Sequence, residues 1–162
     1  MPPLKLTGLL LLLPLALAPG CTRPAPAPAA PAPSAKAGHH PPHGGTPIDL
    51  GDEACHLELV RDAATGTLQA YVLDGELENF IRVPAASLEI VTTVDGQPQT
   101  LVLRAVPNPA TGETVGDTSL FATQADWLKT TPTFDATLKS ITIRGTTFSD
   151  VDFSFPQGND DD

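Results

Sequence analysis

The sequence predicts an all-β domain, either an antiparallel β-sandwich or a small open barrel, with one short helical turn. Short apolar segments alternate with polar residues at a period of two, which is the spacing of side chains on one face of a strand. Turn signals rich in Gly, Pro, Asn and Asp separate these segments every 8–12 residues or so, about the spacing of strands in sandwiches and barrels. No long segment of the predicted domain has the periodicity of an amphipathic helix.

The first predicted hairpin follows a short leading strand and contains a tight turn at residues 63–66. Gly66 suits the position of this turn that needs a positive φ. The predicted elements are, in order, a leading strand at 47–51, a strand at 54–61 and a strand at 68–73.

The strand at 54–61 predicts which of its side chains face the core. Cys55, Leu57 and Leu59 occupy every second position, so we expect them to point inward. The same alternation places His56 and Glu58 together on the outward face, where a histidine stands beside a carboxylate.

The rest of the domain repeats this pattern of short strands and turns. Residues 95–98 form a strong turn signal, and residues 145–146 separate the last two strands. Trp127 and Tyr71 are expected in the core or at its rim. The predicted elements are a helical turn at 76–80, strands at 87–94 and 99–105, a loop at 107–116, a strand at 119–123, a helical turn at 125–129, and strands at 134–144 and 147–155.

The first 20 residues have the composition of a secretory signal peptide. Lys5 precedes an apolar run at 6–17, which is shorter than the roughly 20 residues of a membrane span. The residues from Ala18 to Cys21 resemble a bacterial lipobox, and this resemblance implies lipidation of Cys21 and a firm membrane anchor. Ordinary secretion with an unmodified Cys21 is the alternative.

The segment at 21–43 is predicted to be a linker, Pro/Ala-rich at first and His-rich at its end. Its prolines favour a polyproline-like spacer of about 3.1 Å per residue that lifts the β-domain at 44–158 off the membrane. Residues 159–162 form an acidic tail. We expect the protein on the periplasmic side of the cell envelope, and Thr22 after the lipidated position favours the outer membrane where the cell has one.

Composition and motifs argue against two classes of function, nucleic-acid-binding proteins and enzymes. The formal net charge is -10, with 9 basic and 19 acidic residues, so the basic surface of a nucleic-acid-binding protein is missing. No nucleophile and base stand in a recognisable catalytic pattern, so we do not expect an enzyme.

The chain has two cysteines, Cys21 and Cys55. If Cys21 carries a lipid, Cys55 has no partner within the chain. Its alternation with Leu57 and Leu59 then indicates a buried, inert thiol. A disulfide between the two cysteines is the competing interpretation.

All four histidines fall at or before the first hairpin strand, and this distribution indicates a metal site for copper or zinc. Side chains two residues apart on a strand lie about 6.7 Å apart on one face, close enough to share one ion. The flexible pair at 44–45 would let the linker fold back onto that face. The predicted ligands are His43, His56 and Glu58, with His39 and His40 as additional ligands. Alternatively the histidines are solvated linker sequence, and His56 contacts Gln69 or Tyr71 across the hairpin.

Three short motifs resemble a segment of the periplasmic adaptor proteins of heavy-metal efflux pumps, and also small bacterial envelope lipoproteins. They are His43-Gly44-Gly45, the run Cys55-His56-Leu57-Glu58-Leu59-Val60, and the run Leu68-Gln69-Ala70-Tyr71-Val72-Leu73-Asp74. The coiled-coil hairpin and lipoyl-like part of an adaptor are missing here. The resemblance implies metal handling by His43, His56 and Glu58, and a metal efflux component as a partner.

These observations predict a lipid-anchored periplasmic β-domain that binds copper or zinc as a carrier or sensor. The alternative is a structural or protein-interaction lipoprotein of the envelope with no metal site. In that case an edge strand or the region around Trp127 would meet an envelope protein partner.

Overall fold

The computed structural model describes residues 40–159, which form an all-β antiparallel domain. Eight strands make one sheet that curls into a nearly closed barrel, and a single 3₁₀ turn at Asp126–Lys129 lies between the sixth and seventh strands. The predicted all-β class, open barrel and short helical turn are confirmed. The strands are β1 (Thr46–Leu50), β2 (Cys55–Asp62), β3 (Thr67–Asp74), β4 (Ser87–Val94), β5 (Gln97–Ala105), β6 (Leu120–Gln124), β7 (Phe134–Ile143) and β8 (Thr146–Phe155).

The strands lie in the order β1-β2-β3-β6-β5-β4-β7-β8. Tight turns form the hairpins because they contain residues that accept a left-handed backbone. Asp95 and Gly96 have φ values of 52° and 74°, and Arg144 and Gly145 have values of 51° and 86°. The β3–β6 and β4–β7 pairs join strands that are distant in the chain. Two longer connections, from β3 to β4 and from β6 to β7, therefore link strands that are not neighbours in the sheet.

The last described residues bridge the gap between the two edge strands, β1 and β8. Asn159 accepts a hydrogen bond from the Asp49 backbone N–H at 2.8 Å and donates one to the Asp49 carbonyl at 3.1 Å. Thr46 donates its hydroxyl to the Pro156 carbonyl at 3.2 Å. These bonds occupy part of the β1 edge, which would otherwise offer unpaired backbone groups.

The core is built from inward-facing side chains of all eight strands. Cys55, Leu57 and Leu59 are buried as predicted, and Phe121 is the largest fully buried side chain. Burial raises the pKa of the Cys55 thiol, which keeps this free cysteine in its unreactive protonated form. Trp127 packs its edge against Phe134 at a ring distance of 5.3 Å, at the rim of the core.

The predicted helical turn at 76–80 is wrong. Leu77 has a φ of 57°, which a right-handed helical turn does not allow. The Asp74 carboxylate organises the segment instead, because it accepts hydrogen bonds from the backbone N–H groups of Glu78 and Asn79 and from the Asn79 side chain. Across residues 40–159, no helix has the length and apolar character needed to cross a membrane.

Candidate functional site

His56 and Glu58 do not lie on a solvent-exposed face, so this part of the prediction is wrong. The exposed fractions of the two residues are 4 % and 0 %. Their strand, β2, buries five consecutive residues, whereas a half-exposed strand buries every second one. Glu58 is shielded from solvent by the segment that precedes β1, which contacts its carboxylate.

The Glu58 carboxylate receives three hydrogen bonds from this segment. One oxygen accepts from the backbone N–H groups of His43 and Gly45, both at 2.9 Å. The other oxygen lies 2.8 Å from Nδ1 of the His43 ring. A buried carboxylate is tolerated when it is hydrogen-bonded in this way. We call Glu58 and residues 43–45 the Glu58 socket.

The two glycines are required by the geometry of the socket. Gly44 adopts a φ of 67°, which favours glycine. A Cβ atom on Gly45 would lie 2.5 Å from the Leu59 carbonyl oxygen, so only glycine allows the segment to approach β2. The His-Gly-Gly motif is therefore explained by local packing.

The socket also determines the tautomer of His43. An ionised carboxylate only accepts hydrogen bonds, so Nδ1 carries the proton when Glu58 is ionised and His43 is neutral. The Nε2 atom of His43 then keeps its lone pair. This carboxylate–imidazole arrangement is the one that orients histidine ligands of metals.

The predicted metal ligands are only partly brought together. His43 and Glu58 are in contact, whereas Nδ1 of His56 lies 3.3 Å from the Asp74 carbonyl oxygen. His40 is exposed, and His39 lies outside the described residues, as does the predicted lipidation site Cys21. In the part of the chain that the structure describes, no group of three or more His, Cys, Asp or Glu residues could hold a metal ion.

An aromatic cluster stands beside the socket. The His43 ring stacks on Tyr71 with a centroid distance of 3.8 Å and an interplanar angle of 15°. Tyr71 lies directly opposite Glu58 in the β2–β3 register, so the socket places His43 over it. The Phe80 ring is tilted against both, at 5.7 Å from His43 and 6.0 Å from Tyr71.

These rings form one side of a groove of about 480 Å³. We call it the aromatic groove. Phe80 is 50 % exposed, and it is one of three large exposed hydrophobic residues among residues 40–159. The residues that matter for its chemistry are His43, Tyr71, Asn79, Phe80, Arg82 and Glu113.

The opposite side of the groove contains a second buried carboxylate, Glu113. It accepts hydrogen bonds from the Ser119 N–H at 2.9 Å, the Ser119 hydroxyl at 2.6 Å and the Thr111 hydroxyl at 2.7 Å. Burial alone would raise the pKa of Glu113, but these bonds and the charge of Arg82 outweigh burial and hold the pKa below its ordinary value. The loop at 107–118 is therefore tied to the barrel.

Arg82 connects this loop to the groove. Its guanidinium pairs with Asp117 at 3.3 Å and donates to the Thr111 carbonyl. On the side of the groove formed by the aromatic rings, burial and the charge of Glu58 together raise the pKa of Tyr71. Glu113 thus lines one side of the groove, and the carboxylate of Glu58 lies buried behind the His43–Tyr71 stack on the other side.

Sequence reasoning did not find Phe80, Arg82 or Glu113. Phe80 lies in a segment that was predicted to be helical, and Glu113 lies in a predicted loop. Their proximity depends on the β3–β6 pairing, which brings residues distant in the chain together. A period-two pattern contains no signal for such a pairing.

In comparisons with known proteins, no family model, curated protein or solved structure matches this chain. The resemblance to efflux adaptors stays a prediction. Four of the residues that carry it have structural contacts here: His43 and Gly45 bind Glu58, and Asp74 caps the following turn.

Proposed function

We propose that this protein is a lipid-anchored envelope protein whose β-domain binds a protein partner through the aromatic groove. The observation that carries the proposal is the half-exposed Phe80 beside the His43–Tyr71 stack. Aromatic residues are enriched in the cores of protein interfaces, and burial of such a ring is a main source of binding energy.

The rigidity of the groove supports this function. Glu58 holds one side through three hydrogen bonds, and Glu113 holds the other side through three more. A preformed surface loses little conformational entropy when a partner binds. Val115, which is 60 % exposed, is another exposed apolar residue, on the loop that Asp117 ties to Arg82.

The anchor is the second part of the proposal. Lipidation of Cys21 would keep the domain on the periplasmic side of the envelope, in the outer membrane where one exists. Labelling of cells with radioactive palmitate should modify the native chain and not Cys21→Ser. Recovery of Cys21→Ser in the membrane fraction at the native level would overturn the anchor.

Photocrosslinking tests the groove. The residue p-benzoylphenylalanine replaces Phe80 in one full-length variant and Val102 in a control variant; Val102 is an exposed apolar residue of β5. We expect a discrete adduct from position 80 in cells and none from position 102. The partner identified in that adduct, once purified, should bind the native chain at least ten times more tightly than Phe80→Ala. Equal adducts from both positions would show that the groove is not the interface.

Metal binding is the second candidate function, because the Glu58–Nδ1 contact orients the His43 ring and, when that ring is neutral, leaves Nε2 as the atom that could ligate a metal. We propose that His43 and the exposed His40 would supply ligands and that Glu58 would orient His43. Titration calorimetry of Cu(II) and Zn(II) into Cys21→Ser should then show one site that His43→Ala abolishes. Weak binding at several sites that persists in His43→Ala would reject this candidate.

A further inference from the structure

The hydrogen-bond donors that line the aromatic groove are largely engaged inside the protein. A ligand rich in acceptors, such as an anion or a sugar, needs donors that are free to reach it. The engaged donors and their acceptors are the Arg82 guanidinium with Asp117 and the Thr111 carbonyl, the Asn79 amide with Asp74, and the Ser119 and Thr111 hydroxyls with Glu113. The groove is therefore poorly suited to an anionic ligand.

The charges around the groove lead to the same conclusion. Glu113 lines the groove, whereas Glu58 and Asp117 lie behind it and contact the lining residues His43 and Arg82. The lining residues supply one guanidinium, that of Arg82, against these three carboxylates. The chain as a whole has a net charge of -10. Such a surface attracts cations and repels anions as a partner approaches.

The aromatic rings add a specific attraction for cations. Phe80 is half exposed, and its centroid lies within 6.0 Å of the Tyr71 centroid. A Lys or Arg side chain placed over a ring face is stabilised by the ring quadrupole, while its methylene groups contact the same ring. The groove thus combines an apolar ring surface with an excess of carboxylates in and behind its walls.

We infer that the groove recognises a protein segment in which a Lys or Arg residue stands next to an apolar residue. The inference rests on the proposed function, because it specifies the chemistry of the partner at the same site. The apolar residue would contact Phe80, and the cation would lie between the rings and the carboxylates.

Tyr71 supplies a reporter inside the groove, because it is the only tyrosine of the chain. Incorporation of 3-fluorotyrosine into Cys21→Ser gives one ¹⁹F resonance. Three matched peptides are titrated: acetyl-(Leu-Lys)₃-amide, acetyl-(Leu-Gln)₃-amide and acetyl-(Leu-Glu)₃-amide. We expect the lysine peptide to shift the resonance saturably, with at least tenfold tighter binding than the glutamine peptide and no shift from the glutamate peptide. Binding should weaken as salt is added.

Two sets of variants sharpen the test. Phe80→Ala should abolish the shift, and Val102→Ala should leave it unchanged. At the exposed Val115, on the loop that also carries the lining residues Thr111 and Glu113, the variants Val115→Glu and Val115→Lys differ from each other mainly in charge. Val115→Glu should tighten binding of the lysine peptide a few-fold, and Val115→Lys should weaken it by a similar factor.

The outcomes separate this inference from the proposed function. Binding of the glutamine peptide as tightly as the lysine peptide would overturn the cationic preference and leave a protein-binding groove. A failure of all three peptides to shift the resonance would overturn the inference, while photocrosslinking at position 80 decides the proposed function independently. A saturable shift from neutral maltotetraose, with none from the peptides, would overturn the inference and indicate a sugar site.

Discussion

The β2–β3 and β7–β8 hairpins have the same alternating sequence pattern, but they bury their side chains differently. In β7 the outward-facing Asp135 and Lys139 are exposed, as alternation predicts. In β2 the outward positions His56 and Glu58 are as deeply buried as the core. Alternation therefore identifies the inward face of a strand and does not determine whether the other face meets solvent.

The difference has a physical cause in the hydrogen-bond partners of the outward side chains. On β7–β8 these side chains pair with one another at the surface, as Thr137 does with Asp152 and Ser154 with Asp135. On β2, Glu58 instead accepts bonds from backbone N–H groups of residues 43–45. The Glu58 carboxylate thus accepts the hydrogen bonds that a neighbouring strand would otherwise accept from the backbone of residues 43–45.

The largest expected effect comes from Glu58→Ala. The substitution removes a fully buried side chain and leaves the backbone N–H groups of His43 and Gly45 without their acceptor, so we expect a loss of about 3 kcal/mol in the free energy of unfolding. Urea denaturation measures this loss. The matched control is Asp152→Ala on the exposed face of β8, which should change stability by less than about 0.5 kcal/mol. Similar losses in both variants would mean that the two hairpins do not differ as described.

His56→Ala should cost about 2 kcal/mol, because it removes a buried ring and its contact with the Asp74 carbonyl. A surface metal ligand could be removed without this loss. Thermal unfolding followed by circular dichroism compares it with Thr142→Ala, an exposed position of β7. An unchanged melting temperature in His56→Ala would restore the interpretation of His56 as a surface residue.

Gly45→Ala and Gly44→Ala compare two neighbouring glycines in the socket. A Cβ at Gly45 overlaps the Leu59 carbonyl, so we expect a loss of about 2 kcal/mol. A Cβ at Gly44 meets nothing within 4 Å and only strains a positive φ, which costs about 1 kcal/mol. Urea denaturation of both variants should reproduce this order. The reverse order would show that the segment does not approach β2 as closely.

The smallest expected effect is on the pH dependence of stability. The pKa of Glu113 is lower in the folded protein than its ordinary value of 4.5, because hydrogen bonds from Ser119 and Thr111 outweigh the effect of burial. A depressed carboxylate pKa contributes stability above pH 4.5, and this contribution is lost as the pH falls through the folded pKa. Glu113→Gln should therefore reduce the slope of unfolding free energy against pH below 4.5. Parallel curves for the native chain and the variant would contradict this assignment.

The strands, the hairpin turns and the inward-facing core of this protein could be predicted from the order of its residues. Their signals are local: a period of two for strands, pairs such as Asp95-Gly96 for turns, and apolar alternation for the inward face. Local signals reflect backbone preferences and the burial of one face, and the structure agrees with them in every strand.

The burial of Glu58 and the aromatic groove could not be predicted in this way. Glu58 bonds to a residue 15 positions earlier in the chain, and Arg82 bonds to Asp117, 35 positions later. Such contacts depend on how the sheet curls and which loops meet over it. A glutamate in a sequence is normally predicted to be exposed, because its burial is favourable only when hydrogen-bond partners surround it in the folded protein. Local pattern thus determined the strands and their inward faces, whereas non-local strand pairing and long-range hydrogen bonds determined the closure into a barrel, the polar residues that are buried and the position of the groove.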